Sequence, residues 1–251
     1  MAPNLLVLGG TTEATALCCV LAAQGVRGTV SFAGRVARPV RQPLPQRVGG
    51  FGGVDGLVAF LRSEKITHVV DATHPFAAQM SFNAVDACAR TGIPLVALTR
   101  APWCSVVGDT WTHVRDIACA VAALDGPPER VMLAIGRMHL ADFAPNPQHF
   151  YLLRLVDPPQ EPPPFPDHHV LVDRGPFDSD SDLALMQEHR ISWVVSKNSG
   201  GTGAYAKIAA ARRLAVPVIM IDRPPVPRRL EVHSPEAVLH WLHHGVTDLG
   251  V

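Results

Sequence analysis

Four short stretches collect most of the residues that could hold or protonate a ligand: Gly9-Gly10-Thr11-Thr12-Glu13, Asp71-Ala72-Thr73-His74-Pro75-Phe76, Gly136-Arg137 and Lys197-Asn198-Ser199-Gly200-Gly201-Thr202-Gly203. In the first, two glycines let backbone N–H groups approach an anion, and the threonines add hydroxyls at the start of a helical stretch. This is chemistry suited to a pyrophosphate. The stretch is not G-x-G-x-x-G, because Thr11 and Ala14 stand where the second and third glycines would be. Glu13 has two readings, a carboxylate favoured by the helix dipole or one facing ribose hydroxyls. In the last stretch a lysine, two hydroxyl side chains and three glycines suit an anionic ligand, and the lysine precedes the glycines, so it is no Walker A loop. His74, with Thr73 beside it, could donate a proton, bind carboxylate or cap the helix that follows. Further on, Arg35 and Arg38 stand where an acid would select an unphosphorylated ribose; they favour a 2′-phosphate or are simply solvated.

These stretches need elements to position them. Short apolar runs bounded by Gly or Pro alternate with helical stretches, the pattern of βαβ units. Strands are expected near Leu5–Leu8, Thr29–Ala33, Arg47–Val48, His68–Asp71 and Leu95–Leu98, and helices near Thr12–Ala23, Asp55–Ser63 and Ala77–Arg90. The second half echoes the first. Leu6-Val-Leu-Gly-Gly10 corresponds to Met132-Leu-Ala-Ile-Gly136, Ile66–Asp71 to Ile191–Ser196, and Ile93–Arg100 to Val216–Arg223, each pair about half the chain length apart. Repeats decide architecture. The expectation is an α/β protein of two Rossmann-like halves with largely parallel sheets, residues 1–124 and 130–251, joined by the linker Asp125–Glu129, with a ligand cleft between them. In a doubly wound sheet the loops after the first and fourth strands flank the ligand, and those are the four stretches named above. The proline-rich run 157–166 reads as a surface loop or one wall of a cleft.

Composition narrows the function. The 22 basic and 22 acidic residues among 251 leave no net charge, so the basic footprint of nucleic-acid binding is missing. No run reaches membrane-spanning length and the N-terminus lacks a charged leader region, which points to a cytoplasmic protein. Five cysteines form no C-x-x-C pair and read as small buried hydrophobes in a reducing compartment. The histidines show no ligand spacing and no G-x-S-x-G occurs, so neither a metal nor serine hydrolysis is expected.

With these residues in view, the chain resembles the precorrin-6A reductase family over almost its whole length. Gly9–Glu13, Asp71–Ala77, Arg174-Gly-Pro-Phe177, Lys197–Gly203 and Val216–Pro224 carry the resemblance in order. It implies reduction of one macrocycle double bond of precorrin-6A by NADPH to give precorrin-6B in cobalamin biosynthesis. It also implies a tetrapyrrole substrate, with neighbouring pathway enzymes as further candidate partners. The same scaffold would serve the cobalt-containing substrate of the oxygen-independent route, and a non-catalytic nucleotide- or tetrapyrrole-binding protein is the reading from another class. On this basis His74 and Lys197 are the catalytic candidates, Lys197 holding an anionic group rather than transferring a proton. Gly9, Gly10, Thr11, Thr12, Glu13, Arg35, Ser199, Gly200, Gly201 and Thr202 are assigned to NADPH. Thr73, Arg137, Arg174 and Arg223 are assigned to the carboxylated substrate.

Overall fold

The computed structural model describes residues 2–34, 40–173, 175 and 177–244. Arg35 and Arg38, and with them the 2′-phosphate reading, lie outside the described residues, as does Arg174.

In chain order the elements begin with β1 (Asn4–Leu8), α1 (Thr12–Ala23), β2 (Arg27–Phe32), β3 (Gln46–Val48), α2 (Gly53–Ser63), β4 (His68–Asp71), α3 (Ala78–Thr91) and β5 (Leu95–Leu98). Then come β6 (Trp111–Val114), α4 (Ile117–Ala122), β7 (Arg130–Ala134), β8 (Phe150–Leu155), β9 (His168–Val172), α5 (Ser179–Glu188), β10 (Trp193–Lys197), α6 (Ala206–Arg213) and β11 (Val218–Ile221). The last described elements are β12 (Leu230–Val232) and α7 (Pro235–His244). Among the described residues, twelve strands form two six-stranded sheets, ordered β12-β5-β4-β1-β2-β3 and β6-β11-β10-β7-β8-β9. All strand pairs are parallel. Each order is that of the dinucleotide-binding sheet read from its far edge, with the switch point between β1 and β4 in one and between β7 and β10 in the other. The three sequence echoes fall on β1/β7, β4/β10 and β5/β11, which occupy equivalent places.

The two sheets do not divide where the sequence suggests. The expected halves, 1–124 and 130–251, would leave β6 and α4 with the first sheet and β12 and α7 with the second. The pairing runs the other way: Trp111–Val114 lies along Val218–Ile221, and Leu230–Val232 along Val96–Leu98. The compact units are therefore Met1–Ala101 with Pro225–Val251, and Pro102–Pro224. The cause is local. Returning a chain to pair in parallel beside the strand it has just left needs a crossover of a dozen or more residues, usually helical. The stretches after β5 and β11 contain Pro102 and Gly108, and Pro224, Pro225 and Pro227, and neither forms a helix. Each sixth strand is thus exchanged between units.

Packing follows strand alternation. In β1, Leu5 and Val7 face a core shared with Leu17 and Leu21 of α1 and with Val238 and Trp241 of α7. Leu6 and Leu8 face the opposite core, with Leu57 and Leu61 of α2 and Ala84 and Ala87 of α3. All five β1 residues are buried, as a parallel strand covered on both faces requires. Trp241, 2% exposed, anchors α7 and meets the His68 ring edge-on at 5.3 Å. In the other unit Met132, Leu152, Val194 and Met220 pack under Met186 of α5 and Ile208 of α6. Cys18 and Cys88 are buried and fit the hydrophobe reading, whereas Cys19 and Cys104 are exposed and do not. Burial pushes the Cys88 thiol up to about 12, the Asp71 charge adding to it.

Candidate functional site

In the first unit β1 ends beside β4, pairing Leu8 with Asp71. Gly9 sits so tightly that a Cβ there would come 2.9 Å from Val30 Cγ2, while Gly10, at φ +131°, has open space where a side chain would be. The first position thus needs glycine for packing and the second for conformation, leaving its backbone approachable from outside. Thr11 caps α1: its Oγ1 accepts from Ala14 N at 3.1 Å and donates to Ala72 O at 2.9 Å. It ties the β1 loop to the β4 loop and has no hydrogen left for a phosphate. The first-turn N–H groups of α1 have no intrahelical acceptors and carry the positive end of the dipole. Thr12 Oγ1 donates to Glu13 at 3.1 Å, and Arg100, at the end of β5, donates to both Glu13 oxygens at 3.2 Å. Arg100 thus compensates the Glu13 charge in the first turn of α1. Arg100 was absent from the sequence-derived candidates, although the arginine shared by the third echo was the signal that marks it.

Asp71 closes β4 and its carboxylate is almost fully buried. Oδ1 accepts from Thr73 N at 3.1 Å and Thr73 Oγ1 at 2.7 Å, and Oδ2 accepts from Ser81 Oγ at 2.7 Å and from Arg229. Arg229 precedes the exchanged strand β12, so the segment that crosses back supplies the counter-ion of this loop. Thr73 spends its hydrogen on Asp71 and offers only lone pairs outward. His74 accepts from Phe76 N through Nδ1 at 3.2 Å, and its carbonyl accepts from Ala77 N at 2.7 Å. The N-cap position of α3 is Ala77.

In the second unit Gly136, at φ +78°, leads not into an α-helix but into two 3-10 turns, Arg137–His139 and Ala141–Phe143, with Arg137 exposed. A long helix with its N-terminus at this strand end is therefore a feature of the first unit alone. The loop after β10 is held from beneath. Lys197 Nζ donates to Ile135 O at 3.0 Å. The Asn198 side chain bonds both to the N–H and to the carbonyl of Trp103, at 2.7 and 3.0 Å, and Trp103 Nε1 donates to Gly201 O at 2.7 Å. Arg223 donates to the carbonyls of Asn198 and Ser199 at 3.0 and 3.1 Å. Gly200 and Gly201 have φ of +70° and +68°, a run of two left-handed residues that bends the chain sharply. Thr202 is exposed at the tip of the loop. The two candidates assigned to substrate here thus differ: Arg137 is exposed, while Arg223 clamps the loop.

Sequence reasoning missed three charged residues inside this unit. Arg154 and Asp182 form a buried ion pair, with the guanidinium 3.9 Å above the Phe177 ring. Lys207, 4% exposed, donates to Ala204 O at 2.6 Å and lies 5.0 Å from the Trp103 ring centroid. Burial, with the Arg154 charge adding, lowers its ammonium to about 7, against the opposing pull of Asp182. Periodicity gives no warning of such residues, because a charge in a helical pattern normally reads as a solvated face. Among the described residues no group of three or more His, Cys, Asp or Glu could hold a metal ion.

Two doubly wound sheets, each with a glycine-bearing loop at its switch point, define a Rossmann-type protein. The chain belongs to the precorrin-6x reductase CbiJ/CobK family, whose sequence model matches residues 4–243. It is 58% identical to the precorrin-6A reductase of Rhodobacter capsulatus over 249 residues, covering 99% of both chains. The precorrin-6A reductase of Rhodococcus erythropolis is 47% identical over 95% of this chain and 97% of its own. The cobalt-precorrin-6A reductase of Priestia megaterium is 28% identical over 95% of this chain and 97% of its own. A solved structure described as CobK precorrin-6A reductase superposes with a TM-score of 0.93 at 58% identity, covering 99% of this chain and 100% of that one.

Proposed function

We propose that this protein reduces one double bond of precorrin-6A to give precorrin-6B, with NADPH as the reductant. The full-length likeness to precorrin-6A reductases carries this reading. The lower identity to the cobalt-precorrin enzyme favours the metal-free substrate. The chain has no helix long and apolar enough to cross a membrane among its described residues, which fits the cytoplasmic setting proposed here.

The cofactor assignment fits the residues present. The open backbone at Gly10 and the first turn of α1 suit a pyrophosphate, with Thr11 fixing the loop and Arg100 neutralising Glu13. When bound, the reduced nicotinamide supplies hydride to one ring carbon, and a proton goes to its neighbour. The protein's share is to hold, orient and exclude water. Thr73, with its hydrogen committed to Asp71, receives a donor from the ligand, and Arg137 meets a substrate carboxylate. Lys197 and the turn Ser199-Gly200-Gly201 hold an anionic group of cofactor or substrate, and His74 is the candidate proton donor.

The test is anaerobic incubation of precorrin-6A with NADPH or NADH, following nicotinamide absorbance and product mass. NADPH oxidation with a mass gain of two hydrogens is expected. Stoichiometric binding without oxidation would support a carrier instead. If Arg35 reads the 2′-phosphate, Arg35→Ala weakens NADPH far more than NADH, and equal losses remove it from that role.

A further inference from the structure

We propose that the buried Lys207 ammonium is the charge that equips the Lys197–Gly203 loop for an anion, and that anion binding draws a proton onto it. This deepens the assignment of that loop to an anionic ligand and rests on it. Lys207 donates to the carbonyl of Ala204, the residue that follows the loop, and lies 5.0 Å from the ring centroid of Trp103, which in turn bonds to Gly201 O and Asn198. Trp103 thus bonds directly to the loop, with the Lys207 ammonium beside its ring.

The charges packed around Lys207 do not cancel. Arg154, from β8, disfavours its ionisation; Asp182, from α5, favours it. Asp182 is already committed to Arg154 through Oδ1, and its buried Oδ2 has no hydrogen-bond partner. Among the described residues, two cations against one carboxylate leave an excess positive charge on side chains no more than 8% exposed. An isolated buried ammonium is costly, and a methionine would fill the same volume without that cost. A bound anion on the loop restores balance, so the ammonium is favoured with ligand present and disfavoured without it. With the free protein's Lys207 near 7, the two states differ in proton occupancy across the mildly alkaline range. Lys207 is a positioning residue for binding and takes no part in hydride transfer.

The experiment titrates NADPH alone, and separately precorrin-6B alone, onto the whole enzyme between about pH 7 and 9. The 2′-phosphate, with its second pKa near 6, is already ionised there. For one of the two ligands the dissociation constant should rise by up to about tenfold per pH unit, the limit for one linked proton. Calorimetry in buffers of different ionisation enthalpy should record uptake of up to about one proton. Lys207→Met should bind that ligand weakly with no slope in pH, and Lys207→Arg, charged throughout, should bind it tightly with no slope. A flat wild-type profile without proton uptake, or the same slope in wild type and Lys207→Met, overturns the proposal. If Lys197→Ala and Gly200→Ala leave both affinities unchanged, the assignment of the loop itself fails. If they weaken binding while Lys207→Met keeps the wild-type slope, only the role of Lys207 fails.

Discussion

Replacing Arg229 by methionine isolates what the returning segment contributes to the first unit. The Asp71 side chain is 1% exposed and that of Arg229 10%, so the variant leaves a carboxylate in the interior with only the hydroxyls of Thr73 and Ser81 and one backbone N–H. Removing one partner of a buried ion pair costs about 3–5 kcal/mol. At roughly 2–4 °C per kcal/mol for a chain of this size, unfolding of this unit should fall by about 10 °C. Differential scanning calorimetry reads this directly, the second unit's transition serving as the internal reference. The cause is the stranded charge rather than lost packing, so Asp71→Asn in the same molecule should restore more than half of the loss. A double-mutant cycle then gives a coupling of about 2 kcal/mol or more. A loss under about 1 kcal/mol for Arg229→Met, or simple additivity in the double variant, would refute the reasoning.

Thr11→Ala removes both the cap of α1 and the bond to Ala72 O, so a loss of about 2 kcal/mol in thermal unfolding is expected, with a weaker affinity for NADPH. Unchanged unfolding would show that the two loops hold together without it. Lys207→Met should alter how stability depends on pH. Above about 7 the folded wild type sheds the Lys207 proton while the unfolded chain keeps it until near 10.5, so wild-type stability rises with pH across that window by up to about 1.4 kcal/mol per unit. Denaturant titrations at several pH values should find this rise missing in the variant, and parallel curves would count against a low-lying Lys207.

The strand positions were readable because a parallel strand covered on both faces is a short apolar run, and Leu5–Leu8 and Leu95–Leu98 are such runs. The glycine-bearing loops were readable because few other residues bend as Gly10, Gly200 and Gly201 do. The partners of those loops were not. Arg229 reaches Asp71 across 158 residues of sequence and Trp103 reaches Asn198 across 95, and neither carries a local pattern. The unit boundary was hidden for the same reason: β6 and β12 are four and three residues long, and nothing within them states which sheet they join.

The exchange of sixth strands sets the order in which the two units can be completed on the ribosome. Every strand of the second sheet lies between Trp111 and Ile221, so that sheet can close once Ile221 has left the exit tunnel. The first sheet has five of its strands by Leu98 yet must wait for Val232. At about 5–20 residues per second, β5 stays an open edge for on the order of ten seconds, a template for mispairing in the nascent chain. The N-terminal unit is thus begun first and finished last. Chains stalled with residue 224 just outside the tunnel should show protease-resistant residues 102–224 beside a first unit that is still cleaved, and equal protection of both would contradict that order.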